Sequence, residues 1–386
     1  MIPLEEPAKT EELFLLSYLR AKYASIDMQY TYIVAAQHIN QSTYQLINTL
    51  FRLGLEKKHL SLIGKCYSTD PALYDTMREE GIDVSSFSLA FSSHESFDAQ
   101  YQKYIKAFVT ERWRKIRKKG LHKIVILDEG NFLIREMSNR GPADPRFIGI
   151  EHTSCGMLDI QSSRLSFPVI NVARSYAKLH YEAPLVAHYA TRALFDQLDA
   201  LSITPQKCLL IGRGYLGESV AQNLQDLFPV SIFDQKQDRH FLKKKAFLSC
   251  LKESDLVLGC TGSRSLSAKE MILAKKGAVF ASLSISDREF DSLYFRQPHP
   301  PLSSCHEAVF FHDRWLLNAG FPWNFTQKFE ENDREEFQLT RALTLLGVII
   351  AVGYYGRTQI VELPLDEQAI LVKKWQKIFP NIVQEA

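Results

Sequence analysis

One stretch constrains the fold more than any other: CLLIGRGYLGESVAQNLQDLFPVSIFDQK, residues 208–236. An apolar run meets a glycine turn, Gly212-x-Gly214-x-x-Gly217, then a helix-forming segment, then a second apolar run closing on Asp234. That order predicts strand, turn, helix and strand, the unit from which parallel sheets are built. Gly212 would make the tight turn. Gly214 would let the backbone approach a pyrophosphate, and Gly217 would let helix and strand pack closely. The helix start at Tyr215 and Leu216 would offer free N–H groups to phosphates. Asp234, 22 positions after Gly212, would accept bonds from ribose hydroxyls and repel a 2′-phosphate. The expected cofactor is therefore NAD rather than NADP.

The rest of the chain fits an α/β class. STYQLINTLFRLGLEKK repeats apolar residues at helical spacing and stops at Gly54, and LSLIGK follows as a short buried strand. HKIVILDEGN reads as a strand ending in Asp128 and Glu129, and DLVLGCTG as a later strand that brings Thr261 to the expected cofactor. Parallel sheets place ligands at the carboxyl ends of their strands. We expect a substrate domain over 1–188, an inserted Rossmann domain over 189–320, and a returning helical segment with a polar tail over 321–386. Two chain crossings between domains imply a hinge and a cleft whose closure would exclude water.

Composition removes other classes. A net charge of +2 over 386 residues gives no drive toward nucleic acid or membrane. The basic run RWRKIRKKG reads as a solvated helix face. LTRALTLLGVIIAVGYYG, interrupted by Arg341, reads as a core helix rather than a bilayer span. Six scattered cysteines show no metal spacing and read as reduced thiols. The start, MIPLEEPAKTEELF, lacks the order of a signal peptide, so a cytoplasmic protein without a metal is expected.

Several further motifs together resemble the adenosylhomocysteinase family, over roughly residues 30–350 and in the same order. AAQHINQSTYQLINTLFRLGLE resembles the segment around that family's substrate-site histidine, which falls on His38; a family threonine becomes Asn40. VILDEGNFL resembles the strand end whose second aspartate is a proposed acid–base group; Glu129 stands there. GIEHTSCGM resembles a glutamate pair followed by three threonines. Glu151 keeps the first acid and His152 replaces the second, substrate-contacting one. Thr153, Ser154 and Cys155 take the places that touch the nicotinamide riboside. FPVINVARSYAKLHYEA aligns Lys178 with the lysine that assists hydroxyl oxidation and Glu182 with its acidic partner. WLLNAGFPWNF keeps Asn318 of the segment that closes on the nicotinamide.

The resemblance implies an NAD-dependent enzyme that oxidises a hydroxyl of a nucleoside-like small molecule, working as a homo-oligomer, dimer or tetramer. Lys178, Glu182, Glu129 and His38 would be catalytic; Asn40, Glu151 and His152 would bind substrate. The departures matter as much. Ala183, Ala187 and Ile285 replace a family asparagine, cysteine and histidine, and the family's C-terminal lysine–tyrosine tail is not recognisable. These losses fit a second reading, a catalytically silent NAD-binding module that acts as a sensor or regulator. A 2-hydroxy-acid dehydrogenase, the third reading, would need an Arg and a Glu–His pair in the late loops.

Overall fold

The computed structural model describes residues 12–140, 144–238, 242, 244–328, 335–356 and 359–380. It builds two sheets. The first contains β1 (Thr31–Ala36), β2 (Leu60–Ile63), β3 (Asp83–Val84), β4 (Lys123–Asp128), β5 (Phe147–Glu151) and β6 (Val169–Asn171). The second contains β7 (Cys208–Ile211), β8 (Val230–Phe233), β9 (Leu256–Gly259), β10 (Val279–Ser282), β11 (Val309–Phe311) and β12 (Arg314–Leu316). The chain then returns, and β13 (Ile360–Glu362) adds to the first sheet beside β6.

The order in the first sheet is β13-β6-β5-β4-β1-β2-β3, parallel throughout. In the second it is β11-β12-β10-β9-β7-β8, parallel except for the β11–β12 hairpin. Each sheet therefore starts at its centre and winds both ways. Strand order reverses between β1 and β4 in one and between β7 and β9 in the other. At such reversals the loops leave on opposite faces and open a crevice at the carboxyl edge.

Burial on both faces explains the near-continuous apolar strands; β1, β2, β4 and β5 are buried at every position. The apolar helix Gln338–Gly353 packs on the first sheet, its side chains buried from Gln338 through Ile349. By length and composition alone Glu335–Gly353 could cross a membrane, but 67% of that window is buried inside the protein. The basic run also behaves as expected of a helix face, except that Arg112 turns inward to pair with Asp83 at 2.7 Å.

One reading of the C-terminal region needs correction. The segment after the core helix is not merely a polar tail. Three residues of it extend the first sheet, and the helix Leu365–Ile378 folds back, burying Leu371, Val372 and Trp375. The Trp375 indole donates to the Glu336 carbonyl at 2.8 Å. The last six residues, and the first eleven, lie outside the described residues.

The two sheets share one aromatic seam. Tyr67 and Phe97 of the first domain meet Phe321 of the returning chain at ring separations of 5.2 and 5.6 Å. Asp287, in the loop after β10, accepts from the Phe97 backbone N–H at 3.1 Å, and Arg288 pairs with Asp98 at 2.9 Å. In this structure the expected cleft is thus bridged along one side.

Candidate functional site

Parallel strands end on one edge, so residues just past β1, β2, β4 and β5 converge although the sequence scatters them. Glu129, fully buried, follows β4. The Lys65 ammonium, after β2, donates to Glu129 Oε2 and to its carbonyl, both at 3.0 Å. His38 Nε2, after β1, lies 3.2 Å from Oε2, and His152 Nε2, after β5, lies 2.5 Å from Oε1. Ser68 meets the other nitrogen of His38, and Phe325 covers its ring at 4.7 Å.

The charges follow from this packing. Burial would raise the Glu129 carboxyl, but His38, Lys65 and His152 outweigh it and hold the group well below the usual range. Lys65 is held above its ordinary value, because Glu129 more than offsets burial. Burial dominates at both histidines: it drives His38 down to about 3 and lowers His152, against the pull of Glu129. Each ring turns Nε2 toward the ionised carboxylate, the side on which that negative charge favours the ring proton. His38 Nδ1 then takes the Ser68 hydroxyl. His152 Nδ1 is left as a bare, buried lone pair with no partner among the described residues.

This arrangement carries a pH signature. Between about pH 6.5 and 3 an unfolded chain protonates His38 while the folded one does not, so stability falls as pH falls through that window. In a histidine-detected NMR titration we expect the His38 ring signals to stay constant from pH 8 down to about 4. A midpoint near 6.5 would show a solvated ring and remove the neutral pair.

Other expected site residues take different duties. The Gln41–Arg52 helix begins three residues after His38, with Asn40 as its N-cap. Asn40 Oδ1 accepts from Thr43 N at 3.1 Å and from Arg341 Nη2 at 3.3 Å, so structural bonds engage this predicted substrate contact. Glu151 is buried and accepts from the N–H groups of Gly130 (3.0 Å), Asn131 (2.8 Å) and Thr153 (2.7 Å). Burial and Asp128 push it up to about 8. It shapes the loop after β4 rather than facing outward. Lys178 and Glu182 pair at 2.6 Å within a π-helical turn, and the Lys178 charge is felt at His152.

The glycine turn sits at the reversal of the second sheet. Gly212 has φ +113°, and a Cβ there would meet the Cys260 carbonyl oxygen at 2.6 Å. A Cβ on Gly217 would lie 2.2 Å from the Gly212 oxygen. Both positions therefore require glycine. Gly214 caps the Tyr215–Gln225 helix without a side-chain bond, and a Cβ there would meet nothing within 4 Å. Asp234 Oδ2 accepts from Arg213 N at 2.9 Å and Oδ1 from Lys236 N at 2.8 Å. Burial raises this acid, yet the backbone donors win and keep it below its ordinary value. Tyr215 is half-exposed, its ring edge-on to His180 at 5.0 Å, while Leu216 turns toward the domain core.

Across the seam, Cys155 lies against Gly262 and Ile285 against Gly130, where added Cβ atoms would meet them at 3.1 and 2.4 Å. Thr153 caps the helix that starts at Ser154 and donates to Glu151 at 2.6 Å. Of the 153–155 stretch, Cys155 thus reaches the loop after β9, while Thr153 is held by Glu151 and the helix start. Thr261 lies in that loop and is held by buried Glu289, which accepts from Thr261 N (2.6 Å) and Gly262 N (2.7 Å). Asn318, by contrast, turns its amide to the carbonyls of Pro322 (3.0 Å) and Phe325 (2.7 Å). Lys65, Glu289 and Arg341 are the residues that sequence reading missed. Arg341 alone left a signal, a lone cation in an apolar run.

Fold and site together define a two-domain, doubly wound α/β protein with Rossmann-type topology. No family model matches the chain. Two uncharacterized proteins of Mycobacterium tuberculosis, from strains CDC 1551 / Oshkosh and ATCC 25618 / H37Rv, are 35% identical to it over 324 residues. The match takes in 83% of this chain and 64% of each relative, so the chain spans less than two thirds of their length. Among solved structures, a dipicolinate synthase from Bacillus halodurans is 10% identical with a TM-score of 0.44, over 84% of this chain and 98% of that one. The dipicolinate synthase from Bacillus subtilis is 10% identical with a TM-score of 0.33, over 92% and 98%. The bifunctional FolD dehydrogenase/cyclohydrolase from Campylobacter jejuni is 11% identical with a TM-score of 0.27, over 88% and 94%.

Proposed function

We propose that the protein is a nicotinamide-dinucleotide-dependent enzyme, adenosylhomocysteinase-like, that oxidises a hydroxyl of a nucleoside-like substrate. One observation carries this reading. The glycine turn at one sheet's reversal and the Glu129 cluster at the other's belong to carboxyl edges that meet along one seam. The turn fits a dinucleotide: glycine is obligatory at 212 and 217, and the space over Gly214 is open at an uncapped helix start. Backbone N–H groups past residue 213 would hold the diphosphate and Asp234 the ribose, with NAD the preferred form. When bound, the nicotinamide supplies hydride acceptance.

The chain's own residues handle the proton. His152 Nδ1 has a free lone pair and takes the proton of the hydroxyl being oxidised. Glu129 Oε1, 2.5 Å from Nε2, would stabilise as a counter-charge the imidazolium that forms, the usual division between base and orienting acid. Lys178, donating to both oxygens of Glu182, steadies the substrate oxygen as a cation rather than acting as the base. His38 and Phe325 close the far wall and exclude water.

The test uses purified protein with NAD and adenosine, followed at the absorbance band of the reduced nicotinamide. Reduction is expected, and His152→Ala should slow it by about 10²–10⁴ with NAD affinity unchanged. Bound NAD with no absorbance change for any nucleoside would overturn the enzyme reading. It would favour the silent module, for which the packing of Ile285 on Gly130, where the resemblance expects a histidine, is the supporting observation.

A further inference from the structure

We infer that the substrate side of this site contains an oxyanion subsite built on Arg341, so that its ligand carries a carboxylate or phosphate group. The inference rests on the proposed function only in placing substrate at the Glu129 cluster.

Arg341 is 5% exposed, in a helix whose side chains are otherwise almost wholly apolar. A buried guanidinium is costly unless a counter-charge compensates it. Among the described residues its hydrogen bonds, to Ser42 Oγ at 2.9 Å and Asn40 Oδ1 at 3.3 Å, go to neutral oxygens. Nη1 has no partner among the described residues. The other buried or half-buried cations of the site are matched, Lys65 by Glu129 and Lys178 by Glu182. Among these, Arg341 alone is a surplus charge, and it is felt at both His38 and His152.

Its position sharpens the point. The guanidinium is fastened to the N-cap and second residue of the Gln41–Arg52 helix. That is the positive end of a helix, where a cation is electrostatically misplaced and an anion is favoured. A structural cap needs no charge there. An anion drawn to Nη1 would satisfy the open donor, neutralise the surplus and gain from the helix end. The planar fork of arginine suits the two oxygens of a carboxylate or phosphate. Such a group would fix the substrate beside His152 Nδ1, the other orphaned buried nitrogen of the cluster.

The test titrates sodium phosphate and sodium acetate separately into the full chain, against sodium chloride at constant ionic strength. Thermal midpoint and calorimetric heat are read. Saturable binding of at least one probe is expected, and the tighter arm identifies the group as phosphate or carboxylate. Arg341→Met should weaken it about 10- to 100-fold; Arg341→Lys, which keeps the charge but loses the fork, should fall between. If Arg341→Met does not fold, Arg341→Lys decides alone, and wild-type affinity in it overturns the subsite. Equal binding by wild type and Arg341→Met, or no binding to wild type, also overturns it. NAD affinity of the same samples separates the two proposals. Wild type that binds an oxyanion but no NAD upholds the subsite and sinks the proposed function.

Discussion

Glu129→Gln is expected to lose about 3–5 kcal/mol of folding stability, the largest single loss in the site. The amide preserves shape and volume, so packing is not what fails. What fails is the counter-charge of Lys65, 1% exposed and 3.0 Å from the lost carboxylate oxygen. The variant's Lys65 either stays charged in a dry setting or gives up its proton. Its folded pKa then lies below the unfolded value, and the unfolded state holds more protons in between. Stability of the variant should therefore rise as pH climbs toward about 10, narrowing the gap to wild type. Wild type behaves differently at the acid end. The depressed Glu129 contributes stability above its unfolded value near 4.5, and this is lost as pH falls below it. Adding Lys65→Met to Glu129→Gln removes the orphaned charge and should recover much of the loss, a coupling that urea midpoints of the four proteins measure. A loss under about 1 kcal/mol in the single variant would mean that water reaches the pair.

Why Glu129 was legible and Lys65 was not is a matter of range. HKIVILDEGN is an apolar strand that stops on acids, and a parallel strand's last residues face the ligand edge. His38, which stands in the loop after β1, was found through the family resemblance. Lys65 closes LSLIGK, where a lysine after a strand reads as a surface residue. Only the adjacency of β2 to β1 and β4 brings its ammonium to the carboxylate. Glu289 hides in SDREFD for the same reason: its partners at Thr261, Gly262, Ser265 and Ser284 are distant along the chain or a loop away. The strand Ile360–Glu362 is too short to show a period, and the sheet edge at β6 recruits it. The glycine turn was legible because its constraint is local. Gly217 is forced by the oxygen of Gly212, five residues away.

The doubled architecture also separates residues that shape the site's loops from residues that face its interior. Asn40, Glu151 and Asn318 sit where the resemblance expects ligand contacts, yet each spends its polar atoms on the backbone or a neighbouring side chain. They set the loops from which Glu129, His152 and the 321–325 return project. A change at one of these three would move the site with its loop, whereas His152 acts through its own ring, which points inward from the end of β5.

Gly214→Val should separate binding from folding more sharply than any other substitution in the turn. The position has φ −80°, ordinary for any residue, and an added Cβ meets nothing within 4 Å. The variant should fold with a stability within about 1 kcal/mol of wild type, since exposed changes away from special geometry cost little. The same open space is the approach to the helix start, so a branched side chain stands where a diphosphate would lie. NAD affinity is expected to fall at least about 100-fold, the scale of losing charge-assisted bonds to two phosphates. Gly217→Ala makes the contrast. Its Cβ would lie 2.2 Å from the Gly212 carbonyl oxygen, so the turn itself must shift and thermal stability should drop with binding. Calorimetric titration with NAD and a melting curve on each variant measure both effects. If Gly214→Val melts like wild type and still binds NAD with wild-type affinity, the turn is a packing device, and the dinucleotide site at β7 does not exist.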